Sequence, residues 1–118
     1  MDEKETDRLR EEYLSKHIFC GLTDLNNGFD VSTIKYFSKE EFETVLDRCE
    51  KDGIGIYGIE PWKDGDFYDV WTCEDFSCDP ADPRWYRMAF DDFATRGVTL
   101  QYAASYYVPA GLLDLPEE

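Results

Sequence analysis

Histidine is nearly absent: His17 is the single one in 118 residues. A nucleophilic triad or an imidazole-rich metal centre has too little to draw on. Basic residues are also scarce. Twelve Lys and Arg face 27 Asp and Glu, a net charge of −15. That balance opposes direct contact with DNA, RNA or an anionic membrane, all of which are negative themselves. Long apolar runs are missing too, since none approaches the ~20 residues a bilayer span needs. The start, Met1-Asp2-Glu3-Lys4-Glu5, lacks the basic-then-apolar order of an export signal. The expectation is a cytoplasmic protein.

The four cysteines, Cys20, Cys49, Cys73 and Cys78, lack the spacing of a zinc site. Only Cys73 and Cys78 are close, and neither a second pair nor a histidine cluster accompanies them. They read as reduced, partly buried thiols. Asp64, Asp66 and Asp75 stand where the first, third and twelfth residues of a calcium loop would be. The fifth and sixth positions, however, are Tyr68 and Asp69 in place of an oxygen ligand and glycine. Gly53, Gly55 and Gly58 follow a helix and open a strand, the reverse of the dinucleotide-binding order. Paired carboxylates are uninformative in so acidic a chain. No catalytic residue, metal ligand or cofactor is therefore assigned, and the chain reads as non-enzymatic.

What is abundant is aromatic: eight Phe, eight Tyr and three Trp. With 42% hydrophobic residues, the chain can fold as one α+β domain despite its charge. A charged helix is expected from about residue 4 to the high teens, with a linker to residue 28. Val31, Thr33, Ile34, Tyr36 and Phe37 predict a strand over 29–37. Ser38 with Glu41 three residues on predicts a capped helix ending at Gly53. Strands follow at 54–60 and 67–73 around the turn at Asp64-Gly65. A second helix begins at Asp82-Pro83, and strict alternation marks a strand at 98–108. The order from Phe29 is β-α-β-β-α-β, that of the ferredoxin-like antiparallel sheet, with an extra N-terminal helix. Residues 1–28 are the addition, 29–108 the acidic domain and 109–118 a loose tail.

Residues 64–82 carry seven carboxylates and no Lys or Arg, a segment charge of −7. Aromatics lie in or beside the segment. Trp62, Asp64, Asp66, Asp69, Trp71, Glu74, Asp75, Asp79 and Asp82 are the candidate surface for a basic protein partner. In that reading the rings supply contact area and the acids steer association. Two other readings stand beside it: a solvated rim around core aromatics, and a small enzyme or ligand-binding domain using the open sheet face.

The run Asp30-Val31-Ser32-Thr33-Ile34-Lys35-Tyr36-Phe37-Ser38-Lys39-Glu40-Glu41-Phe42 resembles the start of the bacterial ribonuclease E inhibitor family, also called regulator of ribonuclease activity B. The helix ending at Asp52-Gly53, the strand from Ile54 and the acidic Asp64-Gly65-Asp66 hairpin fit the same plan, so the resemblance covers about residues 29–108. It implies a ferredoxin-like acidic domain that binds and restrains a nuclease or similar basic protein. An immunity protein that neutralises a toxin is the alternative, because small acidic domains suit both.

Overall fold

Ser38 starts the best-signalled helix, α2 (Lys39–Asp52), by accepting a hydrogen bond from the Glu41 backbone N–H at 3.2 Å. Phe42, Val45, Leu46 and Cys49 form its buried stripe, and Gly53 ends it at φ +76°, where a side chain would be strained. The reciprocal half of the capping box is not made: the Glu41 carboxylate accepts from the Thr23 N–H at 2.8 Å instead. Ser38→Ala is expected to cost ~1 kcal/mol in urea unfolding, and Ser38→Gly only a few tenths; equal losses would contradict the cap.

The computed structural model describes residues 3–113. Helix α1 (Glu3–Tyr13) runs into a π-helical turn, Leu14–Ile18. Strand β1 (Gly55–Lys63) is followed by the short strands β2 (Asp66–Phe67) and β3 (Trp71–Thr72). Helix α3 (Pro83–Ala94) is capped by Asp82 with Pro83 at its first position, as its sequence predicts, and β4 (Gln101–Tyr107) follows. The sheet is antiparallel with β1 in the middle, flanked by β4 on one side and by β2 and β3 on the other.

The helices α2 and α3 cover the inner sheet face in one core. Phe42 stacks on Tyr102 at 5.3 Å between ring centres, and Phe90 meets both. Ile54, Ile56, Ile59, Trp85, Tyr86 and Phe93 complete it. Ile18 is fully buried in the same core. Arg48 holds the turn before it by donating to the Ile18 and Cys20 carbonyls at 2.9 and 2.8 Å. All four cysteines are free thiols, and burial pushes the Cys49 thiol up to about 12.

Three expectations need correction. The returning strand over 67–73 is interrupted, with ladder pairs only at Asp66–Phe67 and Trp71–Thr72. The strand over 29–37 shrinks to one bridge, Phe37 to Tyr102. The cause lies in Asn26, whose side-chain amide donates to the Val31 and Ile34 carbonyls at 2.9 Å while its oxygen accepts from the Gly28 and Asp30 amides. Local side-chain bonds hold the segment in turns and outcompete the ladder. The expected tail is also not loose at its start. Ala110–Leu112 form a 3₁₀ turn, and Leu113 packs against the core. The tail beyond Leu113 lies outside the described residues.

Candidate protein-binding surface

Pro61 shapes the surface. It sits in the central strand opposite Tyr102 of β4, and the Tyr102 backbone groups bond away from β1, to Phe37. Alternation along an antiparallel ladder therefore turns the Pro61 backbone toward β2 and β3, where proline has no N–H to donate. Trp62 pairs with Phe67 and Ile59 with Trp71, so three residues, Tyr68 to Val70, oppose the two residues Glu60 and Pro61. The amides of Tyr68 and Asp69 both donate to the Pro61 carbonyl, at 3.1 and 3.4 Å. This bulge reverses the faces of the returning chain. Phe67 and Val70 point outward and stay 55% and 39% exposed. Tyr68 and Trp71 turn inward and pack against the core.

The outer face is half covered. Phe29 and Tyr36 pack on Trp62 at 5.6 and 5.5 Å, and Trp62 Nε1 donates to Glu60 at 3.1 Å. Beyond them lies an open groove of about 380 Å³ bordered by Ile34, Tyr57, Glu60, Val70 and Thr72. Gly58, Ala103 and Ser105 are its small-residue floor. Tyr57 and Tyr107 meet edge to face at 6.0 Å beside it, and both are exposed.

The nine sequence-derived residues do not gather into one patch. Asp64 and Asp66 stand at the Lys63 end of β1, whereas Pro80 packs on Gly55 at the other end. Nine residues of strand separate the two ends by about 26 Å at ~3.3 Å per residue. Asp64, Asp66 and Glu74 are exposed, and among the described residues their carboxylates make no hydrogen bond or ion pair. The others are engaged within the molecule. Asp75 accepts from the Thr72 amide at 2.9 Å, and Asp79 from the Ala81 amide at 3.3 Å. Trp71 donates to Asp92 at 2.8 Å, and Arg96 joins Asp92 to Asp69 at 2.6 and 2.8 Å while lying over the Tyr68 and Phe93 rings. The Arg96 hydrogen bond holds Asp69 below the usual carboxylate range; the Trp71 bond, then Arg96, does so for Asp92. Phe67, Tyr57, Val70 and Tyr107 are the surface residues the sequence-derived set lacks. For Tyr107 the signal was available, since it shares one face of an alternating strand with Ala103 and Ser105.

Arginine charge is spent internally. Arg8, Arg10, Arg84, Arg87 and Arg96 each pair with a carboxylate, and Arg48 bonds carbonyls. With a net charge of −15, the acids still outnumber the lysines left unpaired, Lys63 among them. Away from this face, the buried hydroxyls of Tyr86 and Tyr106 have no hydrogen-bond partner, and burial raises both above the usual tyrosine range. Among the described residues no cluster of His, Cys, Asp or Glu is placed to hold a metal ion, and no helix is long and apolar enough to cross a membrane. Comparison with protein-family models, curated proteins and solved structures finds no match.

Asp82 gives a pH prediction. The Arg84 guanidinium, then the Arg84 amide, lowers its carboxyl to about 2, below the ~3.9 of an unfolded chain. A lowered folded value stabilises the fold above about pH 4, and that contribution is lost as pH falls toward about 2. In a carboxyl NMR titration Asp82 should titrate well below the unfolded-chain value, and Asp82→Asn should flatten the acid limb of the stability curve. An Asp82 midpoint near 4 would refute the assignment.

Proposed function

We propose that this is a non-enzymatic acidic domain that binds a basic protein in the cytoplasm and inhibits or regulates it through the outer sheet face. One observation carries the reading: Phe67 is exposed in the β1–β2 hairpin, which also carries the exposed carboxylates Asp64 and Asp66 at its turn, against the single cation Lys63. Exposed apolar area near an excess of acids favours a partner whose own surface is basic, and proteins that handle nucleic acid present such surfaces. The resemblance of residues 30–42 to the ribonuclease E inhibitor family, with its ferredoxin-like plan, adds a target class, a ribonuclease.

The test is capture on immobilised protein from a cytosolic extract at low salt, with elution as salt rises. Surface charges act over ~8 Å at physiological salt, so Asp64→Asn/Asp66→Asn/Glu74→Gln should slow association and flatten its salt dependence with little change in stability. A retained basic ribonuclease that loses activity when bound supports the reading. A retained toxin outside that class favours immunity instead. Retention that is indifferent to salt and to the triple substitution overturns the proposal.

A further inference from the structure

The outer edge of β4 is only partly used. Tyr102 exchanges two backbone bonds with Phe37, both at 2.8 Å. Along an antiparallel ladder the alternate residues face the same side, so the amide and carbonyl groups of Ala104 and Tyr106 also point away from β1. Neither residue has a backbone bond on that side. Where the expected strand over 29–37 would have run, there is a groove of about 370 Å³ instead. Leu14 and Phe19 line one wall, Ser32, Thr33 and Ile34 the other, and Ala104 and Tyr106 the strand edge. Glu11, exposed and without a partner, stands at its mouth, while Lys35 there is engaged by Asp24 at 3.7 Å.

We propose that the free edge of β4 at Ala104 and Tyr106 receives an extended, basic-apolar peptide segment of a protein partner as an added strand. The chemistry selects the occupant. Unpaired ladder groups are satisfied by another extended backbone, and the spacing of alternate side chains supplies specificity. Leu14 and Phe19 take an apolar side chain, and Glu11 takes a cation at the mouth. The site is separate from the outer face, and it stands or falls without that reading.

The experiment uses the full chain and a named probe, acetyl-Lys-Ile-Lys-Ile-Lys-amide, with its backbone N-methylated form and a Glu-Ile-Glu-Ile-Glu peptide as controls. In the free protein the Ala104 and Tyr106 amides should exchange with solvent at least tenfold faster than those of Ala103 and Ser105. The basic peptide should produce saturable NMR shifts centred on these residues and slow their exchange at least tenfold. The N-methylated and acidic peptides should do neither. Glu11→Lys, on an exposed helix surface, should weaken binding about tenfold without altering the fold. Ala104→Pro should abolish it, as proline is tolerated at strand edges but offers no N–H. Slow exchange of Ala104 and Tyr106 in the free monomer would overturn the proposal, as would peptide binding that leaves them unprotected. Protection that grows with protein concentration alone would assign the edge to a second copy of this chain and overturn it equally.

Discussion

Replacing Trp85 with alanine is expected to remove about 3–5 kcal/mol of stability, the usual cost of deleting a buried indole. Trp85 is fully buried, and its ring contacts Phe76 at 5.9 Å and Tyr86 at 6.2 Å. Its Nε1 donates to the Pro80 carbonyl at 3.4 Å, and that carbonyl also accepts from the Ile56 amide at 2.9 Å. Trp85 therefore props the 73–82 segment against β1. The fit there is close: a Cβ added at Gly55 would lie 3.2 Å from Pro80 and Tyr107. Against a typical total of about 5–15 kcal/mol, the loss should lower the urea midpoint sharply with little change in slope. Met88→Ala, on the exposed side of the same helix, is the control and should stay within about 0.5 kcal/mol. A Trp85→Ala loss under about 1 kcal/mol would show that the segment is held by other contacts.

Phe67→Ala is expected to speed dissociation of a bound partner about 30-fold, which corresponds to ~2 kcal/mol. Its effect on stability should be within about 0.5 kcal/mol, because the ring is mostly in water already. Trp62→Ala and Trp71→Ala should behave in the opposite way. Trp62 is packed against Phe29 and Tyr36, and Trp71 is tied to Asp92 and packed on Phe76. Their loss should appear first in urea unfolding. Stopped-flow dissociation measured alongside urea unfolding separates the two patterns. A Phe67 variant with unchanged dissociation would move the contact away from the outer face.

Much of the fold was legible because its signals are local. Ser38 and Gly53 bracket α2, Asp82 with Pro83 starts α3, and the alternation of 98–108 contains β4. The segment 29–37 misled because strand-forming side chains outweigh one asparagine in any periodic reading, whereas Asn26 acts through four specific bonds. The candidate surface was legible as charge but not as geometry. Asp82 and Arg84 are near neighbours in the chain, so their ion pair could have been anticipated. Asp69 and Arg96 are brought together only by the packing of α3 on the sheet. The faces of Phe67 and Trp71 could not follow from their spacing, since four residues of regular strand would put both on one side.

That last point gives Pro61 a role outside energetics. In the language of coding, the bulge opposite it is a parity bit. The identities of residues 66–72 say which side chains are large, but the count of residues opposite Pro61 says which face receives them. Deleting one residue between Tyr68 and Val70 would restore the even count and turn either the β2 or the β3 side inside out. Substituting that residue would leave the count untouched. Over evolutionary time such a loop should therefore change in composition more readily than in length.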